Sequence, residues 1–184
     1  MFFRLNRRSF LKKSLLVSAL ALCGETAWGK NSDGQATAGM LRLYNTHTSE
    51  RLTVNLRDTL GTHDQHTLNS LNWFLRCHYT NQAHPIDPRV LDYLNLLDQT
   101  VGGGQEIHII SGYRSPAYND FLRRESGGVA RHSLHLEGRA LDIRIPAVPL
   151  PTLRQAAMSL QFGGIGYYPA NDFLHLDSGA FRQW

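Results

Sequence analysis

Two histidines and one aspartate, His135, Asp142 and His175, have the types and spacing to hold one metal ion. Imidazole nitrogens with a carboxylate oxygen suit zinc, and three protein donors leave a further coordination position for water. His135 and Asp142 stand seven residues apart in Ser133-Leu134-His135-Leu136-Glu137-Gly138-Arg139-Ala140-Leu141-Asp142. Along a helix that separation rises about 10 Å, too far for two donors that must each approach one ion to about 2 Å. The chain must turn between them, and Gly138 supplies the backbone freedom. Asp142 then falls on a strand, residues 139–145, whose apolar face is Leu141, Ile143 and Ile145. Alternation places Asp142 on the other face, with Ala140 and Arg144. In Phe173-Leu174-His175-Leu176-Asp177, Leu174 and Leu176 face one way, and Phe173, His175 and Asp177 the other.

Zinc lowers the pKa of a bound water to about 7, and a nearby carboxylate can accept its proton. Asp177, a same-face neighbour of His175 about 7 Å away at the Cα atoms, is the first candidate for that base. Asp172 and Glu137 are the reserves. Arg114 ends a strand in a Gly-containing turn, where a fixed guanidinium can polarise a scissile carbonyl or hold a substrate carboxylate. Spacing alone leaves plainer roles open. His135 can be a solvated loop histidine, and Asp142 an ion-pair partner of Arg139 or Arg144. His132 can be a fourth ligand or a surface residue beside Arg131. Tyr167 and Tyr168 can line a cleft or simply pack.

The elements that must position these groups are legible as patterns. Residues 41–45 and 51–56 alternate around a polar segment and predict a β-hairpin, with His47 as a turn residue at its tip. Leu68, Leu71, Phe74, Leu75 and His78 recur at helical spacing and predict a helix over 65–79, capped by Asp64. Asp87-Pro88 starts a second helix with a stripe of Val90, Leu91, Leu94, Leu97 and Val101. Gly102-Gly103-Gly104 ends it; a phosphate loop needs the opposite order of strand and helix. Residues 106–110 read as a strand, and Ser115-Pro116 opens a third helix to about Glu125. A short helix over 152–161 and a closing strand pair, 163–168 and 173–177, complete the pattern. Strands at both ends with helices between predict an α+β domain.

The chain of 184 residues suits a domain with a real core. Its net charge of +4 is carried by Arg4, Arg7, Arg8, Lys12 and Lys13 against Glu25, so residues 30–184 are neutral. No basic run with interleaved aromatics remains, which excludes a nucleic-acid binder on charge. Residues 1–29 combine Asn6-Arg7-Arg8-Ser9-Phe10-Leu11 with a short apolar run, Leu15–Leu22, and small residues at Ala27 and Gly29. The run is shorter than the roughly 20 residues a bilayer span needs. The leader resembles a twin-arginine signal peptide, which predicts export to the periplasm and no stable membrane insertion afterwards. Residues 30–39 read as a flexible linker, and 40–184 as the functional domain. Once Cys23 leaves with the leader, Cys77 cannot form an internal disulfide, and a buried core thiol is expected.

Three motifs together resemble the zinc D-Ala-D-Ala metallopeptidases, of the clan shared with lysostaphin-type enzymes and the hedgehog signalling domain. They are Ser111-Gly112-Tyr113-Arg114-Ser115, the Ser-x-His-x-x-Gly-x-Ala-x-Asp pattern at 133–142, and His175-Leu176-Asp177. The resemblance covers nearly all of residues 40–184. It implies a central antiparallel sheet with helices packed on it, one zinc ion per chain on His135, Asp142 and His175, and Arg114 as oxyanion or carboxylate contact. It also implies peptidoglycan stem peptides as partner and substrate. The bond implied joins two meso-diaminopimelate residues, or D-Ala to diaminopimelate. Many relatives carry Glu three before the last ligand, or His two before it; here those positions are Asp172 and Phe173. The alternatives are a zinc-containing peptidoglycan-binding module without catalysis and a carboxypeptidase that trims terminal residues.

Overall fold

The structure, a computed structural model, describes residues 39–58, 60–126 and 128–184. The expected leader, and the linker up to residue 38, lie outside the described residues. Seven strands form one sheet: β1 (Met40–Asn45), β2 (Arg51–Asn55), β3 (Glu106–Ser111), β4 (Ala140–Arg144), β5 (Gly164–Tyr168), β6 (Phe173–Asp177) and β7 (Arg182–Gln183). Their spatial order is β2-β1-β3-β4-β6-β5-β7. The helices are α1 (Gln65–Phe74), α2 (Pro88–Thr100), α3 (Pro116–Ser126) and α4 (Leu150–Leu160). The α+β class predicted from the strand and helix pattern is the class observed. The sheet is mixed: β1 runs parallel to β3, and β5 parallel to β7, while the remaining neighbours are antiparallel. No helix among the described residues is long and apolar enough to cross a membrane.

Alternation divides the two faces of this sheet by chemistry. Leu41 and Leu43 of β1, Ile107 and Ile109 of β3, Leu141 and Ile143 of β4, and Leu174 and Leu176 of β6 are buried in one apolar core. They meet Val90, Leu91, Leu94 and Leu97 of α2 and Leu153 and Ala157 of α4. Each such Leu, Ile or Val side chain, fully removed from water, stabilises the fold by about 1.5–3 kcal/mol. The intervening residues of β4 and β6 therefore look the other way, away from this core.

Capping explains where the helices start. Asp64 accepts from Thr67 N at 2.8 Å at the head of α1, and Asp87 accepts from Arg89 N at 3.0 Å at the head of α2. α1 stops at Phe74, not at residue 79, because the chain past it is needed elsewhere. The Leu75 carbonyl accepts from Tyr113 N at 2.8 Å, and Cys77 N donates to Gln82 O at 2.9 Å. His78, freed from the helix, stacks on His47 with ring centroids 3.6 Å apart. His47 is thus more than a turn residue: its Nε2 also lies 3.0 Å from the Ile110 carbonyl. Cys77 is buried, as expected of a core thiol.

Candidate metal centre

The register of four strands builds the site. Ser111 of β3 pairs with Asp142 of β4, Asp142 with His175 of β6, and His175 with Gly166 of β5. One residue row thus crosses the sheet on the face away from the helical core. The next row is Ala140, Asp177 and Gly164. His135 comes to this row from a single 3-10 turn, Leu134–Glu137, capped by Ser133 and ended by Gly138 at φ 67°. That left-handed residue makes the reversal required by the seven-residue spacing. The turn is tied down by Asp87, whose N–H donates to the Gly138 carbonyl at 2.9 Å. The Asp87 carboxylate also accepts from the Ser178 hydroxyl at 2.6 Å, so the head of α2 links the turn to the end of β6.

Three donor atoms converge. His135 Nε2 lies 3.2 Å from Asp142 Oδ1 and 3.2 Å from His175 Nδ1, and His175 Nδ1 lies 2.9 Å from Asp142 Oδ1. Ligand atoms bound at about 2.0–2.1 Å around a tetrahedral ion stand about 3.3 Å apart, close to this triangle. The far side of each ring fixes which nitrogen has a free lone pair. His135 Nδ1 is 2.7 Å from the Gly112 carbonyl, which can only accept, so the proton sits on Nδ1 and Nε2 carries a lone pair. His175 Nε2 is 3.2 Å from Asp177 Oδ2, which leaves Nδ1 facing the cluster. Two nitrogen lone pairs and a carboxylate oxygen therefore point at one spot, a donor set that fits a divalent cation such as zinc.

The electrostatics follow from burial and neighbours. Burial pushes the His135 pKa down to about 4, against the opposing pull of Asp142, which favours the neutral, ligating ring. Burial also disfavours a charged His175, but the hydrogen bonds and charges of Asp142 and Asp177 outweigh it and raise that group. For Asp142 burial acts upward, yet His135 and Arg114 hold it well below the usual carboxylate range.

Arg114 lies where a ligand of the site would meet it. Its backbone N–H donates to the His135 carbonyl at 3.1 Å, its Nε to Ser111 Oγ at 2.8 Å, and its Nη2 to Asp142 Oδ2. Asp142 thus gives one oxygen to the cluster and the other to Arg114. A cleft of about 460 Å³ opens over these groups. One wall is the loop from Gly128 to Leu134; the other holds Tyr168, Phe173 and Trp184. The Tyr168 ring stacks on Phe173 at 4.6 Å, and the indole of Trp184, 5.4 Å from the His175 ring, donates to Tyr168 Oη at 2.9 Å. Gly166 makes room for them: an added Cβ would sit 2.7 Å from Tyr168 and 2.9 Å from Trp184.

The structure brings His135, Asp142, His175 and Arg114 together and puts Asp177 behind them. Asp177 is fully buried and does not join the three converging atoms. Its oxygens take His175 Nε2, the N–H groups of Gly179 at 2.8 Å and Gly164 at 3.3 Å, and two contacts from Arg182 at 2.6 and 3.0 Å. Burial would raise its pKa, but these partners lower it to about 2. The two reserve carboxylates are turned outward and do not line the cleft: Asp172 reaches Arg144 at 3.3 Å, and Glu137 reaches Arg139 at 3.0 Å. Sequence patterning missed Arg182 and Ser111. Nothing in the pattern marked Asp177 as buried or paired it with an arginine; that contact is made only when the C-terminal strand docks beside β5.

An α+β sheet carrying two histidines and an aspartate in this arrangement fits the class its motifs resemble, the D-Ala-D-Ala metallopeptidases. A model of the family described as peptidoglycan L,D-endopeptidase MepK matches residues 34–184. The chain belongs to that family, and it is therefore a peptidase by descent. Peptidoglycan L,D-endopeptidase MepK of Escherichia coli K12 is 36% identical over 182 residues, covering 99% of this chain and 98% of its own. The probable peptidoglycan L,D-endopeptidase MepK of Haemophilus influenzae is 38% identical over 146 residues, covering 79% and 78%.

Proposed function

We propose that the chain is a zinc-dependent murein endopeptidase that hydrolyses peptide cross-links of peptidoglycan, with bonds between two meso-diaminopimelate residues as its targets. The observation that carries this is the triangle of His135, Asp142 and His175 lone pairs, 2.9–3.2 Å apart, at the floor of an open cleft in a peptidase-family fold. Zinc held by these three residues supplies a Lewis acid and a water acidified to about pKa 7. The other groups act around it. The Gly112 carbonyl and Asp177 fix the proton on the outer nitrogen of each histidine, so the inner nitrogens stay available as ligands. Arg114 is cross-braced by Ser111 and Asp142, and its fixed guanidinium meets the carbonyl oxygen as negative charge develops there. The aromatic wall of Tyr168, Phe173 and Trp184 excludes water from one side of the cleft.

Asp177 takes a different part here from the general base expected of it. A carboxylate at the cleft's edge with its oxygens already held by Arg182, two backbone N–H groups and His175 is better placed to orient a ligand than to collect a proton. The leader at residues 1–29 would deliver the enzyme to the periplasm, where its substrate lies, by the twin-arginine route.

The test is digestion of isolated murein followed by analysis of the released muropeptides. Wild type removes cross-linked dimers joined through diaminopimelate, while His135→Ala, lacking a ligand, leaves them intact and carries no zinc. Loss of terminal residues alone would instead indicate a carboxypeptidase, and unchanged murein with bound protein a binding module.

A further inference from the structure

We infer that Arg182 is a positioning residue of the metal centre, acting through Asp177 to aim His175 at the ion. This rests on the zinc reading above and extends it beyond the three ligands to the C-terminal strand.

The geometry forms a relay. Arg182 grips both oxygens of Asp177, Nη2 on Oδ2 at 2.6 Å and Nη1 on Oδ1 at 3.0 Å. Such a fork fixes the plane of a carboxylate as well as its position. Oδ2 of that plane meets His175 Nε2 at 3.2 Å, and the opposite nitrogen of the same ring is the donor at the metal centre. Rotation of the Asp177 plane would therefore turn the imidazole whose lone pair must point at the ion.

The surroundings are shaped to this pair. An added Cβ at Gly164 would lie 2.3 Å from Asp177 Oδ2 and 2.6 Å from Arg182 Nη1. One at Gly179 would lie 2.8 Å from both Asp177 Oδ1 and Arg182 Nη1. Two glycines thus make a socket that only the fork fills, and their N–H groups hold Oδ1 from the remaining directions. Backbone pairing sets the arginine in register. Gly164 stands opposite Arg182, Trp184 N donates to the Ile165 carbonyl at 3.1 Å, and Tyr167 N donates to the Trp184 carbonyl at 3.0 Å. The Arg182 guanidinium also lies 5.0 Å from the Trp184 ring, which covers His175 from the cleft side. Arg182 itself stays half open to solvent, and its guanidinium tip alone reaches the buried carboxylate.

The experiment measures zinc affinity of the full chain by competition with a chelator, alongside thermal unfolding of the metal-free proteins. Arg182→Met is expected to weaken zinc about 10- to 100-fold, the usual cost of losing outer support for a metal ligand. Arg182→Lys, with a charge but no fork, recovers part of that loss. Asp177→Asn weakens zinc too, and adding Arg182→Met to it changes affinity less than about twofold, since the relay is already cut. Gly164→Ala, whose Cβ crowds both the Asp177 carboxylate and the Arg182 guanidinium, breaks the fork from the other side and weakens zinc binding while both side chains remain. Wild-type zinc affinity in folded Arg182→Met, or additive losses in the double variant, overturns the inference. If Arg182→Met does not fold, Arg182→Lys decides, with a several-fold loss expected and unchanged affinity overturning it. A wild type that binds no zinc defeats the metal reading itself, and this inference with it.

Discussion

Gly138→Ala isolates the turn on which the site depends. Gly138 has φ 67°, where an L side chain costs about 1 kcal/mol relative to glycine. Its Cβ would also meet the Pro85 carbonyl oxygen at 2.2 Å and His84 at 3.1 Å. The first contact is with backbone, which cannot rotate aside, and relieving such overlap costs about 1–3 kcal/mol. Together these give about 2–4 kcal/mol, or a fall in Tm of roughly 5–15 °C for a domain of this size. Relief must also move the Gly138 carbonyl that accepts from Asp87 N, and with it His135, three residues upstream. Zinc affinity should therefore fall about tenfold or more. The assay is urea unfolding with chelator present, so that bound metal does not mask the change, with zinc competition measured separately. Gly61→Ala is the control: its φ is 81°, and a Cβ there meets nothing within 4 Å. It should cost only the conformational part. Equal losses in the two variants would refute the claim that the Pro85 contact and the turn geometry position the ligands.

Two further outcomes follow from the same site and its flank. Arg114→Lys keeps a cation beside Asp142 but cannot donate to Ser111 and Asp142 as a braced fork; zinc content should persist while murein turnover falls about 100-fold, and turnover within twofold of wild type removes Arg114 from the mechanism. His78 has its pKa lowered to about 4, chiefly by burial and then by the charges of His47 and Arg114 that face it, with Tyr118 packed edge-on. The fold therefore prefers the neutral ring, the unfolded chain takes up the proton first as pH falls below about 6.5, and stability should decline from there to about pH 4. In His78→Phe that slope should be shallower, and an identical slope in thermal melts across this range shows that His78 is not its source.

Much of the fold was legible because its signals are local. Asp87-Pro88 with an apolar stripe every three to four residues announced α2, and Leu141, Ile143, Leu174 and Leu176 announced which face of β4 and β6 is core. Where the structure departs, a distant partner decides. α1 ends early because Tyr113, nearly forty residues away, takes the Leu75 carbonyl. His47 leaves its turn role because His78 arrives to stack on it. Neither partner can be found from periodicity. The parallel pairing of β1 with β3 is likewise a matter of crossover, which alternation within a strand does not record.

The candidate site divides along the same line. Parity placed Asp142 and His175 on the non-core faces of their strands, since alternation is a property of each strand alone, and the seven-residue spacing required the turn that brings His135 to them. Parity also put Asp177 beside His175, and proximity made it look like a base. What parity omits is the row on β5. Gly166 and Gly164 stand opposite His175 and Asp177, and having no side chains they admit Trp184 and Arg182 into the space. That pairing turns Asp177 from an open carboxylate into a buried one with its oxygens already held. The role of a carboxylate at a metal centre is thus fixed less by its distance in sequence from a ligand than by what stands across the strand from it. Here a glycine stands across from it, and the space goes to an arginine that takes the oxygens a base would need free.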